Sequence, residues 1–174
     1  MEYMPSFKMH RPETVADAVN VAAATAGARY YAGGTDLVVN IRRGIETPAA
    51  LIDLTAVREM KEIRATGDGF MIGAAVPLAE IAAHAGIAAR HAAIAQAAEA
   101  VAGPTHRGYG TIGGNLCLDT RCIFYNQSEW WRKSNDYCLK ERGETCHVAP
   151  GGKRCFAAFS GDVAPALLVF GAEV

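Results

Sequence analysis

The sequence carries almost no surplus of charge: 17 lysines and arginines stand against 18 aspartates and glutamates, a formal net charge of −1. No basic run disturbs that balance, so nothing electrostatic points to nucleic acid as a partner. Long apolar runs are also missing, and with them any candidate membrane span. The opening Met1-Glu2-Tyr3-Met4-Pro5 lacks the charged-then-apolar layout of an export signal, which makes a reducing cytoplasm the expected compartment. No internal repeat, low-complexity linker or Walker phosphate loop occurs. Short Cys-x-x-Cys knuckles, the usual mark of structural zinc, are absent too. Yet there are five cysteines, and in a reducing compartment these read as metal ligands or buried thiols before disulfides.

What is present is alternating helix and strand text in 174 residues, enough for one domain or two small lobes. Thr14 is placed to cap a helix, with Asp17 three residues on, Val15, Ala18, Val19 and Ala22 forming its apolar face and Gly27 ending it. Arg29 to Ala32 and Leu51 to Leu54 read as strands. Leu37 to Arg43, Leu78 to His84, His91 to Val101 and Val163 to Phe170 read as helices. Ile63 to Thr66 and Phe70 to Ala74 flank Gly67-Asp68-Gly69, a hairpin signal. This alternation gives an α/β or α+β class, with lobe one at about 1–56, lobe two at about 57–174 and an insertion at 117–159. Gly171 to Val174 reads as a helix stop followed by the opening of a strand, so the chain is expected to be the N-terminal part of a longer subunit, with Leu167, Leu168 and Phe170 not all covered.

Two Gly-Gly turns stand out, Ala32-Gly33-Gly34-Thr35-Asp36-Leu37 and Thr111-Ile112-Gly113-Gly114-Asn115, each expected to follow a strand. Glycine admits positive φ and leaves no Cβ between backbone N–H groups and a ligand, which suits a phosphate. The expectation is that both turns face one groove, with the N–H groups of Gly33 to Asp36 and Gly113 to Asn115 pointing into it and Thr35 and Asn115 donating further bonds. Either pair alone is better explained by a tight turn; it is the combination that points to a phosphate.

After Leu116 the regular text breaks. A polar, aromatic-rich stretch carries Cys122, Cys138, Cys146 and Cys155, and hydrophobic periodicity resumes only at Ser160. So long an irregular loop is uncommon in a compact domain, and four thiolates can replace the core it lacks. Fifteen, seven and eight residues separate the four cysteines, which matches no recurring ferredoxin run. Zinc, with His147 as a possible ligand, and iron–sulfur are level on spacing alone. Cys117 reads as a packed thiol, Trp130 and Trp131 as a screen over the metal, and Arg132 and Lys133 as solvated charges. Arg121 and Lys140 are placed to offset negative charge at the centre.

Taken in order, Ala32 to Leu37, then Gly110 to Asn115, then Asp162-Val163-Ala164-Pro165-Ala166-Leu167 resemble the flavin subunits of molybdenum hydroxylases, the medium subunits of the xanthine and carbon monoxide dehydrogenase group. The likeness covers essentially the whole chain apart from the cysteine loop. It implies the FAD-binding fold of the vanillyl-alcohol oxidase/molybdopterin dehydrogenase type, two small α/β lobes with FAD between them. It also implies FAD contacts from Tyr30, Tyr31, Ala32, Gly33, Gly34, Thr35, Asp36, Leu37, Val101, Thr111, Ile112, Gly113, Gly114, Asn115 and Asp162. Cys122 to Arg132 and Tyr137 to Lys140 resemble the 4-hydroxybenzoyl-CoA reductase branch, whose insertion carries a [4Fe–4S] cluster. Its ligands would match Cys122, Cys138, Cys146 and Cys155. The branch implies an oxidoreductase of anaerobic aromatic degradation with molybdopterin on a large subunit, [2Fe–2S] on a small one and ferredoxin as donor. On this chain it implies electron transfer and no catalytic residue.

Overall fold

The computed structural model describes residues 4–174. In chain order the elements are β1 (Lys8–His10), α1 (Val15–Ala24), β2 (Ala28–Tyr31), α2 (Leu37–Arg42), β3 (Ala50–Asp53), β4 (Ile63–Ala65), β5 (Phe70–Ile72), α3 (Leu78–Ala83), α4 (Ala85–Arg90), α5 (Ala92–Ala100), α6 (Pro104–Tyr109), α7 (Ile112–Leu116), α8 (Glu129–Ser134) and α9 (Val163–Val169). By their contacts these form two compact units. One comprises 7–35, 48–117 and 161–174; the other comprises 36–47 and 118–160 with the described residues before Phe7.

The first unit holds a three-stranded parallel sheet in the order β1-β3-β2, with Met9 opposite Leu51 and Tyr30 opposite Ile52. The unbroken apolar run Ala50-Leu51-Ile52 makes the centre, where all three are buried, as a strand covered on both faces requires. α1 forms as the sequence predicts: Thr14 Oγ1 accepts from the Asp17 N–H at 3.1 Å and donates to the Asp17 carboxylate at 2.7 Å. Gly27, at φ 74°, then takes the left-handed turn into β2. β4 and β5 pair antiparallel, their turn closed by Thr66 N–H to the Gly69 carbonyl at 3.0 Å. The expected helix from Leu78 to His84 ends one residue early, because the His84 Nδ1 accepts the Ile87 N–H at 3.1 Å and starts α4 instead. Val76, Leu78, Ile81, Ile87, Ile94, Ala95, Ala98, Ile112 and Val163 form the core, with small alanines allowing α3 and α5 to pack closely.

Leu167 packs against this core, whereas Leu168 and Val169 are 77% and 78% exposed and Phe170 is also exposed. The strand expected to open at Gly171–Val174 does not form; the residues after α9 make a turn and then irregular chain.

The second unit is built on α2 and α8. Ser128 caps α8, its Oγ accepting the Trp131 N–H at 3.3 Å. Gly44, at φ 69°, ends the α2 segment. At the hub stands Arg132, only 1% exposed and not the solvated charge its position beside Lys133 suggested. All five of its N–H groups find acceptors: Glu141 at 2.8 Å, Glu129 at 2.7 Å, and the carbonyls of Arg43 at 3.1 Å, Gly44 at 3.0 Å and Gln127. A buried guanidinium is tolerated only when saturated in this way.

Candidate functional site

The two glycine turns meet. A Cβ on Gly33 would lie 1.8 Å from the Tyr109 carbonyl oxygen and 3.0 Å from the Gly110 nitrogen, so the first turn rests directly on the backbone that leads into Thr111. One on Gly110 would lie 3.4 Å from Thr35 Oγ1. Glycine at position 33 is therefore required by a backbone-to-backbone approach within the protein. Gly34 follows at φ 70°, the left-handed region that glycine enters without steric cost. The backbone N–H groups of Gly33, Gly34, Thr35 and Asp36 have no hydrogen-bond acceptor among the described residues. Successive unpaired N–H groups at such a bend form an anion-binding nest. Tyr30, on edge strand β2, is half exposed, while Tyr31, Ala32 and Leu37 are half-buried.

The second turn differs from expectation on two counts. It follows a helix, α6, and it is itself the first turn of α7, capped by Thr111. Its string Gly108-Tyr109-Gly110-Thr111-Ile112-Gly113 spells the dinucleotide glycine spacing but lacks the preceding strand on which that fingerprint depends. Its N–H groups are also engaged within the protein. Ile112 donates to the Val76 carbonyl at 3.0 Å, Gly113 to the Ala74 carbonyl at 2.9 Å, Gly114 to Thr111 Oγ1 at 3.1 Å, and Asn115 to the Thr111 carbonyl at 2.9 Å. The Asn115 side chain, 5% exposed, accepts the Val163 N–H at its Oδ1 at 3.2 Å and so caps α9, which leaves its Nδ2 as the donor. This bond ties the second turn to the segment beginning at Asp162, which is itself exposed.

Val101 closes α5, half-buried. Arg107, which the sequence reading left without a role, donates from Nη1 to the Val101 and Ala102 carbonyls at 2.9 Å each. Ala102 is held at φ 44°, a conformation that costs a non-glycine residue about 1–2 kcal/mol. The guanidinium is the restraint that keeps it there. Arginine six residues from Val101 carried no local signal for this.

In the other unit the four insertion cysteines come together. Cys122, Cys138, Cys146 and Cys155 line one small cavity, whose remaining walls include Phe124, Tyr125, Leu139, Lys140, His147 and Ala157. Cys117 is not part of it; it stands exposed at the end of α7, where the helix stop turns it outward, and is not the packed thiol expected. Cys138 and Cys146 are buried, Cys155 is exposed. The backbone amides of Ala149, Phe156 and Val148 beside Cys146 hold its pKa below the ordinary thiol value despite the opposing effect of burial. Ala157 N–H donates to Cys155 Sγ at 3.3 Å. Among the described residues no three His, Cys, Asp or Glu side chains gather tightly enough to hold a metal ion.

Around this cavity Phe124 packs against His147, with ring centres 5.5 Å apart, and against Trp131 at 6.4 Å. Trp131 thus backs the wall, while Trp130, 76% exposed, screens nothing. His147 Nε2 bonds to the Tyr137 carbonyl. Lys140 Nζ lies 4.7 Å from the centre of the Tyr125 ring and 2.7 Å from Asp119. Burial raises the Tyr125 hydroxyl pKa, helped by the charges of Asp119 and Glu141. Arg121, one residue before Cys122, pairs with Asp36 of the first turn.

Comparison with known proteins agrees with this geometry. The family profile described as "FAD binding domain in molybdopterin dehydrogenase" matches residues 5–174. The chain is 31% identical over 182 aligned positions to the aldehyde oxidoreductase FAD-binding subunit PaoB of Escherichia coli strain K12, covering 98% of this chain and 55% of that protein. It is 34% identical to the xanthine dehydrogenase FAD-binding subunit of E. coli O157:H7, over 62% of this chain and 37% of the other. Among solved structures, carbon monoxide dehydrogenase from Hydrogenophaga pseudoflava superposes with a TM-score of 0.64 at 31% identity, covering 66% of this chain and 40% of that one. Quinoline 2-oxidoreductase from Pseudomonas putida 86 gives 0.63 at 27% identity, over 66% and 40%. The chain belongs to the FAD-binding domain family of the molybdopterin dehydrogenases, with the mixed helix and sheet content of carbon monoxide dehydrogenase medium chains. It spans about half the length, or less, of the curated relatives it matches. Among the described residues no helix is long and apolar enough to cross a membrane.

Proposed function

We propose that this chain is the FAD-binding part of an electron-transfer subunit, and that its parent enzyme reductively dehydroxylates 4-hydroxybenzoyl-CoA to benzoyl-CoA. The observation that carries the reading is the meeting of Cys122, Cys138, Cys146 and Cys155 on one cavity, with Cys117 left outside. Their surroundings fit an iron–sulfur centre. The Ala157 N–H donates to the Cys155 sulfur, backbone amides lie beside Cys146, and Lys140 in the wall supplies positive charge to a set of four thiolates.

Flavin and cluster, when bound, supply one-electron transfer between carriers. The protein's part is to hold and insulate them. The unpaired N–H groups of Gly33 to Asp36 suit the flavin pyrophosphate, the capped turn at Thr111 gives the first turn a fixed surface to rest on, and Arg107 fixes the Val101–Ala102 bend. Substrate chemistry falls to a molybdopterin-bearing large subunit, with [2Fe–2S] on a small subunit and ferredoxin as donor. In this reading the two lobes, about 1–56 and 57–174, embrace the flavin.

A second reading is an oxidising molybdenum hydroxylase, favoured by the similarity to FAD-binding subunits of an aldehyde oxidoreductase and a xanthine dehydrogenase. Iron and acid-labile sulfide in the anaerobically purified subunit, with an EPR signal of a four-iron cluster on reduction, support the first. Flavin without iron on this chain establishes the second.

A further inference from the structure

The compact unit that contains the cysteine insertion, 118–160, also contains residues 36–47, the segment that leaves the first glycine turn. Two arginines of the insertion hold this segment at its two ends. Arg121 pairs with Asp36, the residue that opens α2, and Asp36 in turn accepts from Asn40 Nδ2 at 3.0 Å. Arg121 is itself fixed, because its N–H and carbonyl exchange bonds with Ala158 at 2.6 and 2.9 Å. At the far end Arg132 donates to the carbonyls of Arg43 and Gly44, while its other N–H groups bind Gln127, Glu129 and Glu141 of the insertion. Cys122 follows Arg121 directly, and Gln127, Glu129 and Arg132 lie between Cys122 and Cys138. The insertion, which has little core of its own, is therefore braced on α2, and α2 starts where the unpaired N–H groups of Gly33 to Asp36 end.

We propose that the filled cysteine cavity sets the affinity of the first turn for FAD, with Arg121 and Arg132 as the positioning residues that transmit it. This rests on the reading given under Proposed function. A folded insertion fixes Asp36 and the exit of the turn; a collapsed one releases both, and the flavin then bears the cost of ordering them. Linkage between two such sites is typically about 5- to 150-fold in affinity and acts equally in both directions.

The test uses the full chain, purified anaerobically with any accompanying subunits, and measures the FAD dissociation constant by quenching of flavin fluorescence. Stripping iron from the unmodified protein with a chelator should weaken FAD binding by about 5-fold or more. Arg121→Gln should weaken it similarly with iron and sulfide retained, should lose little more on stripping, and Arg121→Lys should recover most of the affinity. Lys133→Gln, at an exposed side chain of the same unit, should leave the constant unchanged. Stripped and loaded protein with equal affinity would overturn the proposal, and because that comparison needs no variant it decides the matter even if Arg121→Gln fails to fold. An Arg121→Gln protein that retains iron and binds FAD as tightly as the parent would overturn it too. A parent protein that binds no FAD, or holds no iron, would instead remove the underlying reading and this inference with it.

Discussion

Gly33→Ala is the substitution with the most direct consequence. The added methyl would lie 1.8 Å from the Tyr109 oxygen and 2.4 Å from its carbonyl carbon. Both are backbone atoms, so no rotamer change relieves the clash and the two segments must part. Overpacking of a well-filled site costs about 1–3 kcal/mol, and a rigid neighbour puts this case at the upper end, about 3 kcal/mol. In a chain of this size each kcal/mol moves the midpoint of thermal unfolding by about 2–4 °C, which gives a fall of roughly 6–12 °C. Separation of the turns should also lower flavin content, since about 3 kcal/mol is a factor of about 100 in a binding constant. Gly67→Ala is the control: nothing stands within 4 Å of its added methyl. Thermal melts and flavin absorbance per polypeptide decide the question. A Gly33→Ala protein with the parent's midpoint and full flavin would refute the argument that the turn needs this approach.

Cys138→Ser should abolish bound iron and sulfide, whereas Cys117→Ser should leave both intact; the reverse result in a ferrozine assay would move the ligand assignment to Cys117. Arg132→Met removes donors from three carbonyls and two carboxylates, and removal of one partner from a buried charged network costs about 3–5 kcal/mol. The partial exposure of Glu129 argues for the lower end, and denaturant titration of the iron-loaded protein should show the insertion unfolding first.

Much of the scaffold was legible in the sequence because the signals were local. Thr14 and Asp17 announce α1, and Gly67-Asp68-Gly69 the β4–β5 hairpin. The two glycine turns and the four insertion cysteines were likewise identified from residue type and position. What failed depended on distant partners. α6 was missed because Gly108 and Gly110 weaken any helical reading of a segment that Pro104 starts and packing on α3 then holds. β1 is three residues of mixed polarity, a strand only because β3 pairs with it. Nothing local shows that the Asn115 oxygen serves Val163, 48 residues on. Arg132 looks solvated until Arg43 and Gly44 are brought to it, and Asp36 gives no hint of Arg121, 85 residues away. An arginine's burial cannot be read from its neighbours in sequence.

The unequal bonding of the two glycine turns has a consequence for how the amides exchange with solvent. Those of Ile112 to Asn115 are closed within the protein whether or not a ligand is present. They should resist deuteration in empty and flavin-bound protein alike, opening only with the core that Val76 and Ile112 share. The amides of Gly33 to Asp36 have no such protection and should exchange freely until an anion takes them up. The second turn is thus finished at folding. If the first takes up the cofactor as proposed, slow exchange appearing at Gly33 to Asp36 alone would mark the moment of flavin entry.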